Sequence, residues 1–569
     1  MKTVEVRVPD IGDFRDVEVI ELMVAAGEKI ARDQSLVLVE SDKASMEIPS
    51  PQAGIVREMK VRLGDRISEG SLLLLLDVED AGKTIAVSAN TATEKVMSIE
   101  CDTLVLGAGP GGYTAAFRAA DLGQKVVLVE RYPVLGGVCL NVGCIPSKAL
   151  LHAAGVITGA QGMAACGIRF GKPEIDIAKL RQWKQRVVDQ LTEGLSGLAV
   201  ARKITVMHGV GTFSGAHGMT VSGSQGKWQV KFSNAIIAAG SSAVKLPGFP
   251  YGHPALVDST GALRLDDIPQ RMLVIGGGII GLEMACVYDA LGSRVTVAEL
   301  SGDLIASADP DMVRPLQERI GKRYEAILTN TRVKKLEVSG HQLRATFEGK
   351  NAPAEPQVFD RVLVAVGRVP NGKAVGVEAA GVKVDDRGFI AVNRRQQTNV
   401  SHIYAIGDIC GEPMLAHKAS YEGRVAAEAI AGLKTEYDAM TVPSVAYTDP
   451  EVAWMGLTER EARSLGIDYE KSVFPWSASG RALAMGRQDG RTKLLWNKTT
   501  GRLLGAAVTG VHAGELLSEM TLALEMGADL DDIALTIHPH PSLSETVMMA
   551  AEAGLGTITD LFIPKRKGG

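Results

Sequence analysis

The chain has 569 residues, more than a single hydrophobic core accommodates, so several domains are expected. Its 61 basic and 66 acidic residues are mixed along the chain to a net charge of −5, which leaves no basic field for nucleic acid, and aromatics at 5% offer no stacking platform for single strands. The N-terminus, MKTVEVRVPDIG, has charges where a signal peptide would place its apolar core, and nowhere do about eighteen apolar residues run uninterrupted. The reading is a cytoplasmic protein without a membrane span.

Residues 1–80 consist of short β-rich runs, VEVRVPD, SLVLVES and LLLLLD, separated by Gly- and Asp-containing turns. VAAGEKIARDQSLVLVE (24–40) repeats as VRLGDRISEGSLLLLLD (61–77) if one residue is skipped, pairing Gly27 with Gly64, Glu28 with Asp65, Ile30 with Ile67 and Leu36 with Leu72. Two similar halves predict a small two-sheet sandwich with approximate two-fold symmetry. Between them VESDKASMEI puts Lys43 at the tip of a hairpin. A symmetric sandwich displaying a DKA turn resembles the lipoyl domains of 2-oxo acid dehydrogenase complexes, and the resemblance implies a lipoyl group on Lys43. Biotin carriers place methionines on both sides of the lysine, where this chain has Asp42 and Ala44. Residues 81–99 read as a linker, small, polar and aperiodic, with a typical end-to-end distance of about 25 Å as a coil.

DTLVLGAGPGGYTAAFRAADLGQKVVLVE then sets Gly107, Gly109 and Gly112 after an apolar strand and before a helical pattern, with Glu130 closing the next strand. In that frame the glycines supply a tight turn and close backbone approach to a pyrophosphate, and the carboxylate suits a ribose hydroxyl. The same frame recurs in RMLVIGGGIIGLEMACVYDALGSRVTVAE, with Gly276, Gly278, Gly281 and Glu299. Two dinucleotides are therefore expected, and Glu299, which would repel a 2′-phosphate, favours NAD over NADP at the second site. Between the two lies GGVCLNVGCIPSK, with Cys139 and Cys144. Structural zinc needs four ligands, and Cys101, Cys166, Cys286 and Cys410 are scattered singly, so no metal is expected. One short disulfide loop adds little to a core of this size, and in a reducing compartment such a pair is more often catalytic. A dithiol couple beside two dinucleotide sites is the wiring for moving two electrons from thiols to a nicotinamide, with a flavin, FAD, as intermediary at the first site.

GGVCLNVGCIPSK resembles the redox motif of the flavin-dependent pyridine nucleotide-disulfide oxidoreductases, and the resemblance runs from about residue 101 to the C-terminus through IYAIGDICGEPMLAHKA and HPHPSLSE. It implies that Cys139 is the interchange thiol, Cys144 the charge-transfer thiolate beside the flavin, and Lys148 a neighbour of flavin N5, paired with Glu283. Asp408 and Ala416 fall in the second FAD segment, Gly211 at a backbone contact to FAD and Gly367 near NAD. His540, paired with Glu545, is the implied base, acting on the disulfide of the other subunit of a homodimer.

Mercuric reductases need a further cysteine pair near the C-terminus, whereas the last cysteine here is Cys410, and glutathione reductases carry arginines where this chain has Glu299. The dihydrolipoamide dehydrogenase branch remains, and the fused lipoyl domain points to the same substrate. The implied activity is oxidation of protein-bound dihydrolipoamide with reduction of NAD⁺, in a 2-oxo acid dehydrogenase complex, pyruvate being the first candidate. Partners would be its lipoyl domains and acyltransferase core. The alternatives are another flavin disulfide reductase, or a mainly tethering lipoyl carrier. The expected architecture is a small all-β lipoyl sandwich (1–80), then two Rossmann-like α/β nucleotide-binding domains (100–247 for FAD and the redox pair, 248–366 for NAD), a central FAD-completing segment (367–442) and an α+β C-terminal dimerisation domain (443–569).

Overall fold

The computed structural model describes residues 2–8, 17–24, 27–30, 35–40, 45–62, 64–68, 70–78, 97–224 and 226–562. The chain divides into two compact units, Met1–Glu94 and Lys95–Gly569. In the first, alternating apolar residues build two four-stranded antiparallel sheets. One contains Lys2–Arg7, Leu72–Val78, Gly54–Met59 and Lys29–Ile30, the other Ser45–Pro49, Ser35–Glu40, Val17–Leu22 and Arg66–Ile67. Both turn their buried faces to one core, in which Val6, Val56 and Leu74 meet Val19, Val37 and Ile48.

The symmetry anticipated from the repeat is present, but its register is different. Gly27 N–H donates to the Val56 carbonyl (2.7 Å) and Val56 N–H to the Glu28 carbonyl (2.8 Å); Gly64 N–H donates to Val19 (2.8 Å) and Val19 N–H to Asp65 (2.9 Å). Every equivalent pair is therefore 37 positions apart, so Leu36 corresponds to Leu73, not Leu72, and no residue is skipped. Burial agrees: Leu36, Val37 and Val39 are fully buried, as are Leu73, Leu74 and Leu76. A run of five leucines carries no landmark from which sequence alone could fix this register. Lys43 lies outside the described residues, as does most of the linker; the strands flanking Lys43 pair as far as Glu40 with Ser45.

The second unit opens with Met97–Leu106, whose first residues already pair with Trp228–Lys231 and so belong to a sheet rather than to a linker. Four further strands lie parallel to it in order: Thr205–His208 and Val126–Glu130 on one side, Gly226–Ile237 and Ile403–Ala405 on the other. Val126–Glu130 is buried at every position, as a parallel strand covered on both faces must be. A second sheet is parallel throughout, ordered Leu256–Val257, Arg361–Val364, Arg271–Ile275, Arg294–Ala298, Ala326–Leu328. The C-terminal part is a five-stranded antiparallel sheet, Ser444–Ala446, Glu451–Gly456, Leu503–Gly510, Arg491–Asn497, Tyr469–Pro475, covered by helices that include Ala513–Glu525 and Glu545–Leu555.

Asp309, Asp311 and Glu459 converge closely enough to hold a metal ion, but the fully buried Lys493 puts its ammonium against all three, 2.8 Å from Asp309 and 3.0 Å from Asp311. This buried ion cluster joins the helix Pro310–Ile320 to the C-terminal sheet. The stretch Gly137–Cys166 is long and apolar enough to cross a membrane by length and composition. It is broken at Gly143 into the helices Gly137–Val142 and Cys144–Gly162, however, and Leu150, Leu151 and Ile157 pack into the core of the second parallel sheet. One face of this largely exposed stretch packs on that core, and the stretch carries the redox motif.

Candidate active site

In the second unit, each of the two sheets with parallel strands delivers a strand into a glycine turn and a helix. Strand Met97–Leu106 leads through Gly107 to the helix Pro110–Asp121, and Arg271–Ile275 leads through Gly276 to Ile279–Leu291. Gly107 and Gly276 adopt the left-handed φ of +101° and +109°. A Cβ on Gly112 would stand 1.8 Å from the Gly107 carbonyl oxygen, and one on Gly281 2.1 Å from that of Gly276, so helix and turn approach each other only without side chains. Gly109 and Gly278, by contrast, would point a Cβ into open space, and both precede their helices without a side-chain cap. The bare N–H groups of those first turns are the donors a pyrophosphate requires.

The carboxylates are equivalent as well. Glu130, buried, accepts from Ala108 N–H (2.8 Å) and Tyr132 N–H (3.0 Å); Glu299 accepts from Gly277 N–H (2.6 Å) and Ser301 N–H (2.7 Å). Both sets are related by 169 positions. Two backbone donors orient each carboxylate and leave it lone pairs for ribose hydroxyls. Both turns and both carboxylates line one cavity of about 1460 Å³. The donor set and the space at Gly109 and Gly278 fit two dinucleotides, one per turn.

Gly211, Gly367, Asp408 and Ala416 also line this cavity. Asp408 accepts a hydrogen bond from the Ser241 hydroxyl, which in turn accepts one from Arg368 Nε (2.7 Å). Neither Ser241 nor Arg368 was singled out from sequence, because their contacts join segments more than a hundred residues apart.

Cys139 sits in the helix Gly137–Val142, and Cys144 is the first residue of the helix Cys144–Gly162. Both are thiols here, and both line the cavity. The hydrogen bond from Cys139 and then the Lys148 ammonium lower the Cys144 pKa to about 7, on a residue exposed at the cavity wall. The same hydrogen bond, with burial, moves Cys139 the other way. The thiolate therefore belongs to Cys144, at a helix N-terminus that favours negative charge.

Lys148, one helical turn on, donates to both oxygens of Glu283 at 3.0 Å. Glu283, almost fully buried, also accepts from Ser147 Oγ (2.8 Å) and Tyr447 N–H (3.1 Å). Tyr447 is a further residue that sequence reading missed.

His540 Nδ1 and Glu545 Oε1 are 2.8 Å apart, and Glu545 is fixed by Ser542 N–H (2.7 Å). The imidazole is 78% exposed, and neither residue lines the cavity of the thiols. The structure of one chain thus brings the pair together with each other but not with the cysteines. A second such pair, His538 with Glu519 at 2.7 Å, stands beside it. Of the remaining cysteines, Cys101 and Cys286 are buried with their pKa pushed up to about 11 by burial, as small core residues should be, whereas Cys166 is exposed.

The family model described as pyridine nucleotide-disulphide oxidoreductase matches residues 101–423, its dimerisation domain 442–551, and a model described as biotin-requiring enzyme, which covers biotin and lipoyl carriers, residues 4–76. Dihydrolipoyl dehydrogenases of Vibrio cholerae and Haemophilus influenzae are 54% and 53% identical over 469 and 470 residues, covering 82% of this chain and 98% of each relative. Among solved structures, the Cu(II) complex of the HOCl-induced flavoprotein disulfide reductase RclA from Escherichia coli superposes with a TM-score of 0.72 at 26% identity, covering 80% of this chain and 99% of that one. With its paired glycine turns, its Cys139–Cys144 pair and more than half its length matched, the chain belongs to the pyridine nucleotide-disulphide oxidoreductase family.

Proposed function

We propose that this enzyme is a dihydrolipoyl dehydrogenase that oxidises protein-bound dihydrolipoamide and reduces NAD⁺. The observation that carries the reading is the Cys139–Cys144 pair, sharing with the Lys148–Glu283 ion pair one cavity that both dinucleotide turns line. Residues 100–247 with 367–442 would hold FAD, through Gly107, Gly109, Gly112, Glu130, Gly211, Asp408 and Ala416; residues 248–366, with Gly276, Gly278, Gly281, Glu299 and the adjoining Gly367, would hold NAD. FAD, when bound, supplies the relay of an electron pair from the thiols to the nicotinamide. Substrate loses two electrons and two protons as its dithiol closes to a disulfide; the Cys139–Cys144 disulfide takes up the electrons and opens to a Cys139 thiol, which exchanges with substrate and keeps one proton, and a Cys144 thiolate, the other proton going to the base. His540 of the partner subunit would take the substrate proton, its tautomer held by Glu545, which requires residues 443–569 to form a homodimer. In the cell the reading implies a cytoplasmic 2-oxo acid dehydrogenase complex, with its lipoyl domains and acyltransferase core as partners.

The purified protein should be yellow, and dihydrolipoamide with NAD⁺ should yield NADH. Faster turnover of glutathione disulfide with NADPH would assign it to another branch, and an absence of any flavin would reduce it to a lipoyl carrier.

At the cavity end beside Glu299 stand Arg332 and Lys334, paired with Glu348 at 3.2 and 3.4 Å. Glu299→Ala removes the ribose acceptor and leaves those two cations nearby. The ratio of kcat/KM for NAD⁺ to that for NADP⁺ should fall by about 10- to 100-fold, the scale of one charged hydrogen bond. An unchanged ratio would show that the second turn does not read the ribose.

Lys43 should gain the mass of a lipoyl group when the chain is co-expressed with a lipoyl ligase, and the Lys43→Ala chain should not. Intact-mass spectrometry separates the two, while oxidation of free dihydrolipoamide should be equal in both, because that substrate arrives from solution.

A further inference from the structure

Lys148 and Glu283 come from different helices, Cys144–Gly162 and Ile279–Leu291, and a third segment, the loop after Ser444–Ala446, touches both. The Lys148 ammonium lies 4.4 Å from the centre of the Tyr447 ring, while Tyr447 N–H donates to Glu283 Oε1 at 3.1 Å. Two N–H···O bonds to Glu283 fix the ammonium from one side and the aromatic face holds it from another, with the remainder of the side chain open toward the cavity. Lys148 is four residues from Cys144 on one helix, so both project from the same face.

Resting on the proposed role of Cys144 as the flavin-side thiolate, we infer that Tyr447 is a positioning residue of the redox centre, its ring and backbone N–H keeping the Lys148 ammonium at the Cys144 sulfur. The ring matters more than the hydroxyl. Without an aromatic face the ammonium meets apolar surface in its place, loses one of its two anchors, and withdraws its charge from the thiolate. The ionisable groups that face Cys144 are Cys139, Lys148, Glu283, Tyr113 and Tyr447; those that face Tyr447 besides are Glu451 and Glu515. Glu283 keeps its hydrogen bond in any variant at position 447, because the donor is backbone.

The test uses the FAD-loaded full chain in a Cys139→Ser background, where Cys144 is the one thiol of the pair and its thiolate reports through long-wavelength charge-transfer absorbance. That absorbance is titrated against pH in the parent, in Tyr447→Phe, and in Tyr447→Leu and Tyr447→Met. The two non-aromatic variants should raise the midpoint by about 0.5 to 1 pH unit, the size of a single cation–π contact, and Tyr447→Phe should match the parent. Having both Leu and Met keeps the comparison if one of them fails to retain flavin. An unmoved midpoint in the non-aromatic variants, or an equal shift in Tyr447→Phe, would overturn the assignment. A parent with no titrating band would instead refute the underlying role of Cys144, which separates the two failures.

Discussion

Cys144→Ser is expected to lower lipoamide-dependent NADH formation by on the order of 10³-fold or more, while FAD stays bound. The sulfur contributes chemistry that a hydroxyl cannot replace at neutral pH, whereas the flavin's pyrophosphate would rest on Gly109 and the first helical turn, some thirty residues earlier. The serine is nearly isosteric and begins the same helix, so the Lys148–Glu283 pair should be undisturbed. In the parent enzyme the thiolate exists above the Cys144 pKa of about 7 and is lost as pH falls through it, so charge-transfer absorbance of the reduced protein should fade below that value. The serine variant should lack the band at every pH. Near-normal activity in the variant would remove Cys144 from the electron path.

His540→Ala should slow lipoamide reduction and oxidation by roughly 10²–10⁴-fold, the usual consequence of losing a general base. Glu545 accepts the Nδ1 proton at 2.8 Å, which directs the basic Nε2 outward on a ring that is 78% exposed. An imidazole prepared in this way, but placed off the cavity of its own chain, needs a second chain to meet a thiol. NADH oxidation by artificial acceptors, which bypasses the thiols, should be far less affected. Mixing the His540→Ala chain with a Cys139→Ser chain should restore activity, since each heterodimer then has one site with both groups intact. Full lipoamide activity in a verified monomer would refute a shared site.

What sequence revealed here, and what it hid, follows from the range of the contacts. Gly107 to Glu130 and Gly276 to Glu299 lie within single βαβ units, so spacing alone displays turn, helix start and carboxylate together. The Cys139–Cys144–Lys148 set is equally local. Glu283 is 135 positions from Lys148, and only a family resemblance connected them in advance. Tyr447, Ser241 and Arg368 had no such signal, because nothing in an isolated VAYTD or GRVP segment records which distant strand it will meet. The start of the sheet at Met97 was hidden for a related reason: MSIE is too short and mixed to show a period, and Gly226–Ile237 is what turns it into a strand.

The crossed hydrogen bonds of the N-terminal sandwich reach beyond its symmetry. Gly27 reaches the other half at Val56, whose counterpart Val19 is reached in return by Gly64, and the pairing of Val17 with Ile67 is mirrored by that of Gly54 with Ile30. Contacts in which one surface binds its own copy are those of an isologous dimer. Each half therefore carries a surface complementary to its diverged copy, and this part of the chain is, in its bonding, a pseudo-symmetric dimer closed by a peptide link. Neither half has a core to keep if the other departs, so the two must be gained or lost together.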